Sequence, residues 1–228
     1  MSRTAQPAKF WILAATILGS SLAFIDGSTV NVALPALQQD LGATVTDIQW
    51  VINGYTLFLA SLILLGGALG DHYGRRRLFA LGVLVFALAS AWCGLAPSTA
   101  QLVAARAVQG VGAALLVPGS LAIISASFPA AERGAAIGLW SGFSALTSAL
   151  GPVLGGLLID TLSWRWIFFI NLPLAALVLV FLTRVPESRD RGAGRLDVAG
   201  SLLVTLGLGA VTYGLLEAGA RGLGNAVV

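Results

Sequence analysis

Two charged residues, Asp26 and Arg106, lie within long apolar stretches of the sequence. A charge at the centre of a bilayer costs roughly 2.5–3.5 kcal/mol on insertion scales, so each side chain needs a partner or a function. A carboxylate can bind and release a proton, and a guanidinium close to it stabilises its charged form. The two residues therefore predict an ion pair that couples proton binding to the movement of a solute. A pair that only joins two helices is the alternative interpretation.

The spacing of the two residues predicts that they lie at the same depth. Asp26 is eight residues before Leu34, at the end of the first apolar run, and Arg106 is eight residues after Ser98, which precedes the fourth run. At 1.5 Å of rise per residue, each lies about 12 Å from the end of its helix on the outer side of the membrane. A cationic solute could then compete with the proton for the Asp26 carboxylate.

Three further residues are expected beside this pair. Gln109 and Gly110 follow Arg106 by three and four positions, which places them on the same helix face. Asn31 offers a polar group near the outer end of the first helix. We therefore predict that all five residues line a shared central cavity, which is the proton and substrate path.

A short charged segment forms a second candidate site. Residues 67–77 read Gly-Ala-Leu-Gly-Asp-His-Tyr-Gly-Arg-Arg-Arg and separate two apolar runs, so we expect a tight, charged turn. Its ion pairs could hold one conformation as a cytoplasmic gate and break in another, or the arginines could only anchor the topology. The predicted gate contains Gly67, Asp71, Gly74, Arg75 and Arg76, with Glu132 and Arg133 from the next loop on the same side.

Small residues recur along the fifth apolar run at intervals of three and four positions. At 100° per residue they fall within about 40° of one line along a helix, which leaves that face without large side chains. Such faces allow helices in lipid to approach closely, or to slide during a conformational change. The stripe consists of Gly138, Gly142, Ala145, Ala149, Pro152 and Gly156.

The elements that carry these residues are membrane helices. The chain is 57% hydrophobic and 10% charged, with a mean hydropathy of +0.89, whereas ordinary soluble domains are roughly 45–50% apolar. Windows of about 20 residues predict an all-α bundle with seven transmembrane spans. The spans lie near residues 10–34, 50–69, 78–96, 102–124, 135–159, 166–184 and 198–216.

The expected organisation has three parts. These are an N-terminal six-helix transmembrane bundle over residues 1–183, a cytoplasmic linker over 184–197, and a seventh helix with a short tail over 198–228. With the N-terminus inside, only Arg165 and Arg221 of the loop arginines fall on the outer side. The positive-inside rule therefore favours a cytoplasmic N-terminus in a plasma membrane.

An internal repeat suggests how the six spans are arranged. Residues 66–71 read Gly-Gly-Ala-Leu-Gly-Asp, and residues 155–160 read Gly-Gly-Leu-Leu-Ile-Asp; Arg76 and Arg165 follow at the same offset of 89 positions. Three spans separate the copies, so the two three-helix units have inverted topology, as in many transporters. Coincidence among Gly- and Leu-rich sequence is the alternative.

Other classes of function are not favoured. The net charge of +3 is spread over the ends of apolar runs instead of forming a basic face, so we expect no nucleic-acid partner. One histidine and the single Cys93 supply no metal cluster or catalytic set, and no Gly-rich phosphate loop is present. We expect no enzyme activity and no cofactor, with an ion gradient or passive movement instead of ATP as the driving force.

Several segments jointly resemble the major facilitator superfamily, specifically its fourteen-span drug:proton antiporters of the EmrB/QacA kind. Residues 67–77 resemble the loop signature between spans two and three, and residues 24–35 resemble the first-span motif, with Gly27 and Ser28 as variants. Residues 102–112 are similar to the fourth-span motif implicated in proton transfer, and residues 164–173 to the entrance of the sixth span. The fifth-span antiporter motif is matched by residues 138–156, which include Gly151, Pro152, Gly155 and Gly156.

This resemblance implies a transporter with two six-helix bundles around a central path, which works by alternating access. The chain would supply the N-terminal half of this transporter. It implies proton-coupled export of amphipathic or cationic drugs, with the proton gradient as driving force and the lipid bilayer as environment. The chain ends at Val228, so the partner is a missing C-terminal half or a second copy. A symporter or facilitator for a nutrient, and a non-transporting membrane module that acts through a partner, are the alternatives.

Overall fold

The computed structural model describes residues 5–190 and 197–221, and these residues form helices without any β-strand. Residues 191–196 of the predicted linker and 222–228 of the predicted tail lie outside the described residues. The helices are α1 (Ala5–Leu41), α2 (Val45–Tyr73), α3 (Arg75–Leu95), α4 (Thr99–Ser127), α5 (Ala130–Thr161), α6 (Trp166–Phe169), α7 (Asn171–Leu182) and α8 (Val198–Arg221).

Within the described residues, six helices are long and apolar enough to cross a membrane, namely α1–α5 and α8. The predicted sixth span is instead divided at Ile170 into the short α6 and the 12-residue α7. Pro173 explains the division, because it has no N–H for the carbonyl oxygen of Phe169 four residues earlier. Trp166–Leu182 together is an apolar helical segment near the minimum length for a span.

The predicted eleven-residue turn is a single residue. Helix α2 continues to Tyr73 and α3 begins at Arg75, so only Gly74 separates them. Gly74 has φ +116°, a conformation that residues with a Cβ rarely adopt, and its N–H donates to the carbonyl oxygen of Gly70 at 3.0 Å. Residues 68–73 remain helical because a helix pairs its own backbone N–H and C=O groups, whether it lies in lipid or in water.

Local sequence also defines the turn between α1 and α2. Gly42 has φ +59°, and Thr44 then caps α2. The N–H of Asp47 donates to the Thr44 hydroxyl, and the backbone N–H of Thr44 donates to the Asp47 carboxylate at 3.0 Å. This reciprocal capping box satisfies two donors that the first turn leaves free.

The packing of the helices has the pattern of two inverted units. Helix α2 packs on α4 as α5 packs on α1, and α3 packs on α4 as α7 packs on α1. Helices α1 and α4 touch each other at the centre. If α1 corresponds to α4, α2 to α5 and α3 to α7, each of these contacts has a counterpart in the other unit, so the packing supports the inverted repeat. Helix α8 lies outside this arrangement and packs on α2.

Buried polar side chains form a layer between two apolar clusters. On α1 the first cluster ends at Phe24 and the second begins at Val30, and α3, α4 and the α6–α7 segment are divided in the same way. The first cluster is centred on Phe79 and Phe86, and the second includes Phe168. The residues between the clusters, which we call the polar layer, are Asp26, Ser90, Arg106, Gln109 and Asn171.

Candidate functional site

Asp26 of α1 and Arg106 of α4 form a buried ion pair. The Oδ2 atom of Asp26 lies 2.5 Å from Nη1 of Arg106, and the two side chains are 0% and 2% exposed. The equal depth expected from the sequence is therefore what the structure has. Because both charges are removed from water, their attraction must offset a large desolvation cost, and loss of either partner leaves the other charge buried and uncompensated.

Two amides complete the surroundings of the carboxylate. Gln109 Nε2 donates to Asp26 Oδ1 at 2.8 Å, and Asn171 Nδ2 donates to the same oxygen at 3.4 Å. Gln109 also accepts from Nη1 of Arg106 at 2.7 Å, so its amide bridges the two charged groups. Both carboxylate oxygens of Asp26 therefore have hydrogen-bond partners in the polar layer.

Helix α2 holds the guanidinium of Arg106 from the other side. Arg106 Nε donates to the carbonyl oxygen of Val51 at 3.2 Å, and the guanidinium carbon lies 4.2 Å from the centre of the Tyr55 ring. The second contact is a cation–π interaction, worth about 0.5–2 kcal/mol depending on desolvation. The position of Arg106 is thus tied to two successive turns of α2.

Ser90 and Asn171 belong to the same network, although the sequence analysis did not single them out. Ser90 Oγ accepts from Asn171 Nδ2 at 2.9 Å and from Gln109 Nε2 at 3.3 Å, and it donates to the carbonyl oxygen of Phe168 at 2.9 Å. In the sequence, Asn171 stands out only as an amide within an apolar segment. Its contact with Asp26 arises only when the helices pack together.

The ion pair lies outside the hollow beside α1, and its expected place in a central path stays a prediction. A hollow of about 430 Å³ opens beside α1, and its lining includes Asn31, Phe24, Ser28, Ser148 and Tyr55. Asp26 projects from a different face of α1, toward α4, where it is fully buried. Tyr55 contacts both regions, because its ring covers Arg106 and also lines the hollow.

The other predicted path residues have different surroundings. Asn31 lines the hollow and donates to the carbonyl oxygen of Gly27 at 2.8 Å. Gln109 lies in the polar layer instead. Gly110 is a packing residue, because a Cβ there would collide with the backbone oxygen of Tyr55. The glycine lets α2 and α4 approach closely, and its expected place in the path stays a prediction.

The predicted gate is divided into two clusters. Asp71 pairs with Arg75 at 2.7 Å, one helical turn apart across Gly74. Glu132 pairs instead with Lys9 at 2.5 Å, and Arg133 is exposed. The expected network between the two loops is therefore not formed in this conformation, since α5 begins beside α1 instead of beside the Gly74 turn.

Glu187, which follows α7, completes the cluster at Gly74 and was missed by the sequence analysis. Its carboxylate lies 3.7 Å from Nε of both Arg76 and Arg77 and accepts from the backbone N–H of Arg76 at 3.0 Å. The carbonyl oxygen of Ser188 accepts from the N–H of Arg75 at 2.9 Å. No local pattern shows that Arg76 and Glu187, which are 111 positions apart, will meet.

Gly67, the remaining residue of the predicted gate, is one of the α2 residues facing α4 and lies close to Pro118.

The small residues of α5 lie on two different faces. Gly151 and Gly155 are buried against Ser28 and Thr29 of α1. In contrast, Gly138 and Gly142 are exposed, and a Cβ at either position would meet open space. The other members of the stripe are exposed or half-buried, namely Ala145, Ala149, Pro152 and Gly156. Within the described residues, the predicted stripe therefore covers no helix, and the α1 contact uses the adjacent face.

Two inverted three-helix units with a buried ion pair at their centre define one bundle of a secondary transporter, which is a multi-pass membrane protein. The sequence profile of the Major Facilitator Superfamily matches residues 16–218, and the chain belongs to this family.

The relatives of the chain include resistance proteins. It is 46% identical over 208 residues to the multidrug resistance protein Stp of Mycobacterium tuberculosis, covering 90% of this chain and 38% of that protein. It is 45% identical over 214 residues to the puromycin resistance protein pur8 of Streptomyces alboniger, covering 93% of this chain and 42% of the relative. The chain thus spans less than half the length of these relatives.

A solved structure shows the same fold. The peptide transporter POT in complex with sulfate is similar with a TM-score of 0.71 at 15% identity, over 96% of this chain and 48% of the transporter.

Proposed function

We propose that this chain forms one half of a proton-coupled exporter of amphipathic or cationic drugs, including antibiotics. The observation that carries the proposal is the Asp26–Arg106 pair in the polar layer, separated by Tyr55 from a hollow large enough for a small molecule. The similarity to multidrug and puromycin resistance proteins supports export as the direction of transport.

Coupling follows from what a proton does to the pair. Protonation of Asp26 removes one charge, so Arg106 keeps a buried positive charge without its counterion. The guanidinium must then find new partners or a wetter position, and α2 must adjust because Val51 and Tyr55 both contact Arg106. Tyr55 transmits this adjustment to the wall of the hollow. Each proton that moves inward gains about 2.3 kcal/mol per 100 mV, so the gradient supplies the driving force without a cofactor.

The hollow suits an amphipathic molecule. Phe24 and Tyr55 offer aromatic surface, and Ser28, Asn31 and Ser148 offer a few polar groups. A pocket with mostly apolar walls and few polar groups is typical of sites for drug-sized ligands. In this proposal a C-terminal half or a second copy supplies the opposite wall, and the exposed stripe of α5 meets that second bundle.

We further propose that the protein lies in the plasma membrane with the N-terminus and the Gly74 turn in the cytoplasm. Arg75, Arg76 and Arg77 are at this end, which is the side that the positive-inside rule assigns to basic loops. Residues 1–183 form the bundle in this scheme, 184–197 the cytoplasmic linker and 198–228 the seventh helix with its tail. The contacts of Asp71 and Glu187 at the Gly74 turn then act as a cytoplasmic gate.

The test compares Asp26→Asn with the unchanged full-length transporter in efflux-deficient bacteria. We expect cells with the variant to accumulate ethidium as cells without the transporter do, because the amide cannot take up a proton. Asp160→Asn, at an exposed carboxylate at the end of α5, is the matched control and should retain efflux.

Reconstituted vesicles separate coupling from folding. Asp26→Asn should still exchange labelled for unlabelled drug across the membrane without a proton gradient, while gradient-driven accumulation is lost. Efflux equal to that of the unchanged protein would show that Asp26 does not couple the proton. Uptake of drug with the inward proton flow would indicate symport instead of export.

A further inference from the structure

Two hollows meet at Arg77, on the bundle surface beside the Gly74 turn. One is polar, with a volume of about 380 Å³, and the other is an apolar groove of about 460 Å³ between α3 and α7. The polar hollow is lined by Tyr73, Arg77, Glu187, Ser188 and Arg189. The groove is lined by Arg76, Arg77, Ala80, Leu179, Leu182 and Thr183.

The charged side chains of the two hollows favour an anion. Arg76, Arg77 and Arg189 oppose the single Glu187, so three positive charges and one negative charge leave a net charge of +2 among the lining residues. The Arg77 side chain is 75% exposed and lies 3.7 Å from the Glu187 carboxylate, which Arg76 shares. Arg77 therefore has most of its N–H groups free to reach a ligand from either hollow.

The groove needs an apolar group to fill it, which a free inorganic anion does not have. Ala80 on α3 and Leu179 and Leu182 on α7 form an apolar channel that leads away from the arginines toward the middle of the helices. The neighbouring Leu81 and Val180 are exposed, so the groove opens on the surface that acyl chains cover in a bilayer. A ligand that fills both hollows must have an anionic head and an apolar chain.

We propose that these two hollows form a site for one anionic glycerophospholipid, with its phosphate at Arg77 and Arg189 and one acyl chain along the groove. Basic pockets between membrane helices bind such headgroups by charge and by hydrogen bonding. The site is separate from the hollow beside α1 that we assign to the transported drug, and it does not depend on the proposed transport. A bound lipid contacts both α3 and the segment after α7, so it bridges the two chain segments that meet at the Gly74 turn.

Native mass spectrometry of the full-length protein in detergent tests this site. The probes are palmitoyl-oleoyl phosphatidylglycerol, the matching phosphatidylcholine, and inorganic phosphate as a competitor. Each arginine near a lipid headgroup contributes about 1 kcal/mol, so the first phosphatidylglycerol should bind at least tenfold more tightly than phosphatidylcholine. Inorganic phosphate at the same concentration should not displace it, because phosphate gains nothing from the groove.

Three variants distinguish this site from general attraction of lipid to a basic surface. Arg77→Gln should weaken binding of the first phosphatidylglycerol about fivefold, and Ala80→Phe should weaken it with every charge retained, because the ring fills the groove. Arg133→Gln removes an exposed arginine elsewhere at the same end and should leave this binding unchanged. Equal affinity for the two lipids, displacement by phosphate, or equal losses in Arg77→Gln and Arg133→Gln would overturn the proposal.

Discussion

Among individual residues, Tyr55 is the one that contacts both the buried ion pair and the hollow proposed as the drug site. It is almost fully buried, its ring covers the Arg106 guanidinium at 4.2 Å, and it lines the hollow beside α1. Asp26 by contrast has no contact with the hollow. Under the proposed function, a drug that displaces the Tyr55 ring weakens the hold on Arg106, and a drug that packs on the ring strengthens it.

Substitutions of Tyr55 test this link at the residue scale. Tyr55→Phe keeps the ring, so transport should remain within about twofold of the unchanged protein. Tyr55→Leu removes a cation–π contact of about 0.5–2 kcal/mol and should lower transport roughly twofold to thirtyfold. The measurement is the initial rate of drug efflux as a function of drug concentration. Equal rates for the two variants would show that the ring over Arg106 has no part in coupling.

At the scale of elements, the sharpest feature is the one-residue turn between α2 and α3. Its geometry depends on the positive φ of Gly74 and on Glu187, whose carboxylate stands where a Cβ of residue 74 would point. The cluster around the turn therefore joins three segments of chain, namely the end of α2, the start of α3 and the segment after α7.

Gly74→Ala should destabilise the folded protein by about 1–2 kcal/mol, because alanine is strained at this φ and its Cβ displaces Glu187. The control is Gly134→Ala in α5, where a Cβ meets open space and helix propensity favours alanine. Thermal unfolding of the purified protein should show a lower midpoint for Gly74→Ala and an unchanged or higher one for Gly134→Ala. If both substitutions had the same effect, the strain at Gly74 would not matter to stability.

The two faces of α5 matter at the scale of the whole molecule. Gly155 is buried against Thr29 of α1, whereas Gly142 lies on the exposed stripe. One face thus builds this bundle, and the other is available to a second bundle. The distinction bears on how the transporter assembles, since the chain spans less than half the length of the relatives compared above.

Leucine at these two positions should have different effects, one on stability and one on efflux. Gly155→Leu should lower the thermal stability of the protein, because α5 must move away from α1 to accommodate the side chain. Gly142→Leu should leave the bundle folded but reduce efflux severalfold, because the proposed second bundle could then no longer approach closely. Membrane levels, unfolding midpoints and efflux rates measured together separate the two outcomes. Normal efflux by Gly142→Leu would show that the stripe is not an interface in transport.

The sequence by itself determined the membrane environment, six of the seven predicted spans and the shared depth of Asp26 and Arg106. Hydropathy and helical rise are properties of a continuous segment, so they are readable along the chain. Only the tertiary structure decided that the pair is buried behind Tyr55, that Asn171 and Ser90 complete its network, and that Glu187 meets Arg76. These relations depend on the rotation of each helix about its axis and on contacts between distant segments, which small differences in packing determine and no local pattern encodes.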